Sequence, residues 1–235
     1  IQLNKLTKAE TSYKKIIELK PDYAEVYSNL GTLYLKLKRE NEAEFSYKKA
    51  IELNPNFTDA YLNMGMMFQK LNRIDEAESS YRKAIELKPE FSVSYFNLAV
   101  AYEKLNDFKN AAKNYLKNIE LDSKNFAANF NIGNIFKLEN KIDKAEKYLL
   151  EAIRLNPNFI RAYNNLFEIF DRSNQLDKFE KLLNLSKVNL KNKTFISFFS
   201  GILDYKKKNY ENVIRIYEKI NLDPNDTGHR IVINE

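Results

Sequence analysis

Residues 24–57 read AEVYSNLGTLYLKLKRENEAEFSYKKAIELNPNF and residues 58–91 read TDAYLNMGMMFQKLNRIDEAESSYRKAIELKPEF. Laid one over the other, they decide the fold. Tyr27 and Tyr61, Gly31 and Gly65, Ala43 and Ala77, Tyr47 and Tyr81, Ala50 and Ala84, and Pro55 and Pro89 fall at matching places in the two segments. A fixed period of this length is the mark of a stacked array. The spacing continues with erosion through Tyr95, Leu98, Tyr102, Ala111 and Tyr115, then Ile132, Gly133, Phe136, Ala145, Ala152 and Pro157, and beyond these through Tyr163, Leu166 and Phe170. Within one period, Tyr61, Met64, Gly65 and Phe68 fall at i, i+3, i+4 and i+7, one apolar face of a helix. Ala77, Tyr81, Ala84 and Ile85 form a second such face, with small residues where backbones must cross, and Pro89 ends it. Helices this short are marginal alone, so each pair depends on stacking against the next.

Working outward, the composition agrees. Among 235 residues, 44% are hydrophobic and 30% charged, with only five Gly and five Pro. That suits an all-α core and excludes both a turn-rich barrel and a membrane span. No Cys removes disulfides, thiolate metal sites and cysteine nucleophiles, and a single His, His229, removes histidine clusters. No catalytic constellation, metal site or cofactor motif is found, so the expectation is a chain that is not an enzyme. The net charge of +6 is a small difference between 38 basic and 32 acidic residues that alternate along most of the chain, which argues against nucleic acid as partner. The densest basic stretches are Lys187 to Lys193 and Lys206, Lys207 and Lys208. Nothing at Ile1 resembles a signal peptide, a cytoplasmic location is expected, and the chain reads as a piece of a longer protein or a processed form.

The offsets Tyr27, Leu30, Gly31, Tyr34, Ala43, Tyr47, Ala50 and Pro55 resemble the tetratricopeptide repeat, a helix-turn-helix unit with the same period. That resemblance implies an all-α, right-handed superhelical solenoid of antiparallel helix pairs whose concave face is made mainly of first helices. Repeats are expected at 24–57, 58–91, 92–125 and 126–159, a degenerate one at 160–193 and a divergent one at 194–227. Residues 1–23 would hold the second helix of a truncated repeat, and 228–235 the start of another first helix. Ala99 stands for Gly, Asn118 for Ala and Ser123 for Pro, changes that the fold should tolerate. Phe167 and Phe179 at crossing points should alter the curvature, with a looser connection around 186–194.

Asn29, Asn63, Asn97, Asn131 and Asn165 also recur once per period, off the buried face of each first helix. Each carboxamide carries a donor and an acceptor, which suits the backbone of an extended peptide. The row is similar to the asparagine ladder of O-linked N-acetylglucosamine transferase repeats. Two readings fit it: contact with a peptide, or solvation of the groove and bonding to a neighbouring helix. On the same register Leu62, Met66, Phe96, Val100 and Phe130 would form a contiguous exposed apolar patch if they face outward, or would pack against adjacent first helices; Asn134 lies on the same line. The lysine place of the carboxylate clamp used by a subclass of the family is held by Ser28, Leu62 and Phe96, so that clamp is absent.

The expected function is therefore a non-catalytic scaffold that binds an extended peptide or a partner helix in the groove. The rival is the substrate-recruiting arm of a larger glycosyltransferase or sulfotransferase, and open array ends would favour end-to-end self-association.

Overall fold

The computed structural model describes residues 2–186, 193–209 and 211–213. The described residues form twelve α-helices and no strand. They divide into two compact units, residues 1–128 and residues from 129 onward.

The first unit holds α1 (Gln2–Leu19), α2 (Ala24–Lys36), α3 (Glu40–Leu53), α4 (Thr58–Lys70), α5 (Ile74–Leu87), α6 (Ser92–Lys104) and α7 (Phe108–Leu121). The pairs α2/α3, α4/α5 and α6/α7 each bury alanines and one tyrosine of the second helix: Tyr47 is 1% exposed, and Tyr81 and Tyr115 are fully buried. Glycine makes room for two of these rings. A Cβ on Gly31 would lie 2.9 Å from the Tyr47 ring, and one on Gly65 would lie 2.6 Å from Tyr81 Cε1. The third pair places Ala99 at this register and buries it completely.

The turn inside each pair is set by a residue at positive φ: Lys38 at 60°, Asn72 at 60° and Asn106 at 58°. The backbone there closes back on the first helix, with Lys38 N donating to Leu35 O and Arg39 N to Tyr34 O. Asn72 and Arg73, and Asn106 and Asp107, repeat that closure. Between pairs, Asn54 and Asp122 accept from the backbone N–H two residues on, at 3.1 Å each. Pro55, next to Asn54, suits the second place of this turn.

Adjacent pairs are stitched by a glutamate at one register of the second helix. Glu10 takes Arg39 at 2.9 Å, and Glu44 takes Arg73 at 2.6 Å. Each arginine also covers an aromatic ring, Tyr34 at 4.4 Å and Phe68 at 4.3 Å. Glu78 instead accepts from Tyr102 at 2.7 Å. Asn118, in an alanine place, is 1% exposed, yet both ends of its amide are bonded: it donates to Ser92 O and accepts from Asn125, each at 2.9 Å. That is why the substitution is tolerated.

The second unit holds most of α8 (Phe126–Leu138), then α9 (Ile142–Leu155), α10 (Ile160–Arg172), α11 (Leu176–Ser186) and α12 (Lys193–Lys206). Leu149 replaces the buried tyrosine, and a Cβ on Gly133 would lie 2.9 Å from its Cγ. Asn140, Asn174 and Lys208 keep the positive φ of the turn. The bulky Phe167 and Phe179 are absorbed by interlocking rings: Phe167 meets Phe179 at 5.2 Å and Phe199 at 4.9 Å, and Phe195 meets Phe199 at 4.7 Å. Such edge-on pairs add to the area they bury. Of the basic cluster, Lys206 is paired with Asp171 at 2.9 Å and Lys207 with Glu180. The connection expected to loosen lies mostly outside the described residues, as does the second half of the 194–227 repeat. Residues 187–192, His229 and 228–235 lie wholly outside them.

Two magnitudes oppose each other at the glycines. Overpacking costs about 1–3 kcal/mol, while Gly→Ala inside a helix gains about 0.5–1 kcal/mol. Gly65→Ala, the tighter case, should therefore lose about 1 kcal/mol net and Gly31→Ala should lie near neutral, read from paired thermal and urea midpoints. Lys38→Gly removes the side-chain penalty of the left-handed turn and should gain about 1 kcal/mol, seen as a higher midpoint of the same transition.

Candidate functional site

First helices in the first unit touch one another directly. Asn63 Nδ2 on α4 donates to Ser28 Oγ on α2 at 3.5 Å, and Lys104 Nζ on α6 donates to the Gln69 carbonyl on α4 at 3.1 Å. Their outward faces thus make one surface within residues 24–104.

On that surface Asn29 is exposed, while Asn63 and Asn97 are half-buried. Met66 is 49% exposed, and Phe96 and Val100 are half-buried. The Phe96 ring leans edge-on against Tyr115 at 5.6 Å. Leu62 does not join them: it is 7% exposed. Its register is that of Ser28, which is 3% exposed in the seam with the next first helix. Phe130 in the second unit is 4% exposed for the same reason, held edge-on by Phe159 at 4.8 Å with Arg161 over its ring at 5.1 Å. The contiguous exposed patch is therefore corrected. Leu62 and Phe130 are packing residues, and Met66, Phe96 and Val100 are what remains open, joined by Val93, exposed on α6.

The buried tyrosines reach this face from behind. Tyr47 OH and Thr32 Oγ1 share a hydrogen bond of 3.0 Å, Tyr81 OH donates to Gln69 Oε1 at 3.0 Å, and Tyr115 OH donates to Glu103. A ring buried in the pair thus ends on a polar group at the surface. Burial raises the pKa of Tyr47, with the Thr32 bond opposing it, and that of Tyr81 as well. Burial also raises the Glu103 carboxyl, against the opposing pull of the Tyr115 hydrogen bond. The helix ends carry Lys36, Lys70 and Lys104, all exposed.

The second unit uses its asparagines differently. Asn165 Nδ2 donates to Asn134 Oδ1, and Asn165 Oδ1 accepts from Lys137 Nζ at 3.1 Å. The same ammonium meets Glu168 at 2.6 Å and holds that carboxyl below its ordinary range, and Arg172 adds a bond at 2.8 Å. Asn165 is thus engaged at both ends within the protein. Asn131 and Asn134 are half-buried. No group of three or more His, Asp or Glu side chains that could hold a metal occurs among the described residues, and no described helix is long and apolar enough to cross a membrane.

Family models of the tetratricopeptide repeat match residues 24–57, 58–91, 80–113 and 126–159, and a TPR repeat model matches residues 1–38. Among curated proteins, none matches this sequence. Solved structures do. The Pseudomonas aeruginosa pilF structure superposes with a TM-score of 0.69 at 16% identity, covering 85% of this chain and 90% of its own. YrrB, described as a TPR protein with an unusual peptide-binding site, gives 0.63 at 22% identity over 83% of this chain and 97% of its own. MamA gives 0.61 at 23% identity, over 68% and 94%. At these identities the likeness is one of fold.

Glu103 gives this face a pH dependence. Its folded-state pKa lies above the ordinary 4.5, so the folded chain binds that proton more tightly than the unfolded chain does. The contribution is full below about 4.5 and is lost as pH rises through the folded-state value. Glu103→Gln should accordingly be more stable than the parent at pH 7, with the difference shrinking as the pH falls through the raised folded-state value toward 4.5 and constant below it, measured by thermal midpoints across that range.

Proposed function

The chain belongs to the tetratricopeptide repeat family, and from that premise we propose that it is a non-catalytic scaffold holding an extended peptide across the first helices of residues 24–104. The observation that carries this reading is the coincidence of two rows on one surface. Asn29, Asn63 and Asn97 offer donors and acceptors, and Met66, Phe96 and Val100 leave apolar area open beside them. An extended backbone needs the first and its side chains bury against the second. YrrB, which shares the fold, is described as having a peptide-binding site, and this supports the same use of the fold here. Lys206 and Lys207 are paired with Asp171 and Glu180, which supports a structural role for these two lysines. In the second unit, Asn131, Asn134 and Asn165 serve the scaffold more than the ligand in this reading.

Peptides selected from a random display library on the folded protein test it. A net hydrogen bond contributes about 1 kcal/mol, so Asn63→Ala with Asn97→Ala should weaken a selected peptide by about thirtyfold, read by fluorescence anisotropy. Phe96→Ala should cost a similar factor, and Phe45→Ala, an exposed residue of the second helix α3, should leave affinity unchanged. Affinity unchanged from the parent in both the double asparagine variant and Phe96→Ala would place the site elsewhere.

A further inference from the structure

Each first helix of the first unit ends in a lysine, and Lys36, Lys70 and Lys104 hold the same place in successive repeats. Five lysines of the same unit are tied to carboxylates, Lys14 to Glu10, Lys48 to Glu44, Lys49 to Glu52, Lys83 to Glu86 and Lys117 to Glu120, while others such as Lys38, Lys88, Lys109 and Lys113 form no ion pair among the described residues. Lys36, Lys70 and Lys104 enter no ion pair among the described residues. A cation at a helix C-terminus favours the helix dipole, which accounts for a lysine there. It does not account for the missing acids, since the acidic residues of α2 and α4, Glu25 and Asp59, sit at the opposite, N-terminal end. The face that carries Asn29, Asn63 and Asn97 is therefore bordered on one side by three unneutralised ammonium groups.

The general spacing of packed helices suggests a ligand geometry for that border. Lys104 reaches the Gln69 carbonyl at the end of the preceding first helix, so neighbouring helix ends lie within one lysine side chain of each other. Packed helices stand about 8–10 Å apart. A β-strand returns a side chain to the same side every second residue, about 7 Å, which falls short of one contact per repeat. Polyproline II returns one every third residue, about 9 Å, which matches. It also makes no internal hydrogen bonds, leaving its N–H and C=O groups for the carboxamides beside the lysines. We infer that this face takes an acidic segment in polyproline II conformation, with carboxylates at every third residue, one for each of Lys36, Lys70 and Lys104. The inference rests on the groove reading and gives its ligand a charge pattern. Glu103 is the acid beside the row at α6; its half-buried carboxyl is turned to Tyr115 and burial biases it toward the neutral form.

The test uses the whole chain and three labelled synthetic peptides of equal length: repeats of Glu-Pro-Ala, the same residues with the glutamates contiguous, and repeats of Gln-Pro-Ala. Fluorescence anisotropy should show the first binding about tenfold more tightly than the other two, and binding should weaken as salt rises. Lys36→Ala, Lys70→Ala and Lys104→Ala together should remove about that factor. Lys49→Ala, Lys83→Ala and Lys117→Ala, equally spaced on the second helices, should not, with circular dichroism confirming that both triple variants are folded. Glu103→Gln should tighten binding of the first peptide. Equal affinity for the glutamine peptide, or an unchanged affinity in the Lys36, Lys70 and Lys104 variant, overturns the inference. If the glutamine peptide binds as tightly as the first and is lost on Asn63→Ala with Asn97→Ala, the groove reading stands while the acidic one falls. Failure of every peptide, selected ones included, removes both. Tighter binding of a single-stranded homopolymer oligonucleotide than of the first peptide, lost in the same lysine variant, assigns the row to nucleic acid and likewise overturns the inference.

Discussion

The contact between a second-helix side chain and the glycine of its partner helix governs both the core of the repeats that carry it and the surface in front of them. Where Tyr47 lies on Gly31 and Tyr81 on Gly65, the absence of a Cβ lets a flat ring sit against the first helix backbone. The ring then extends through the pair, and its hydroxyl emerges where the first helix presents Thr32 or Gln69. Packing in the core thus chooses which polar groups on the outer face are held still. The second unit shows the alternative: Leu149 on Gly133 has no hydroxyl to deliver, and there Asn134, Lys137, Asn165 and Glu168 bond among themselves. One substitution behind the face goes with a different organisation on it.

The glycine, alanine, tyrosine and proline rows are legible in the sequence because each is a distinctive residue type held at a fixed spacing. Two further rows escape that reading. Leu33, Met67, Ala101, Ile135 and Ile169 are all buried, as are Val26, Ala60, Ser94, Ala128 and Ala162, yet their identities vary so widely that only burial unites them. The first helix packs on more than one neighbour, so its apolar arc is wider than one i, i+3, i+4, i+7 stripe. The same fact explains Leu62 and Phe130. Register alone says that they leave the hairpin core, but not that another first helix covers them. Asn72, Asn106, Asn140 and Asn174 carried a signal of their own, since asparagine tolerates positive φ, and their spacing marks every inner turn they occupy.

Cohesion along the first unit comes from many modest terms. Arg39 and Arg73 each span two glutamates and lie over a ring, and exposed pairs of this kind contribute fractions of a kcal/mol apiece. Because each joins only neighbours, stability accumulates pair by pair, as expected for a quasi-one-dimensional array. Ala112 stands where the glutamate of this register would be, and the third pair lacks that term.

The chain contains fifteen tyrosines and no tryptophan. Its ultraviolet emission is therefore that of phenols, whose brightness depends on what their hydroxyls are bonded to. Three of those phenols, Tyr47, Tyr81 and Tyr115, end on Thr32, Gln69 and Glu103. A molecule settling over these side chains would disturb the hydroxyl bonds beneath them, so the array carries a built-in optical reporter of occupancy, seated in its core and requiring no attached dye.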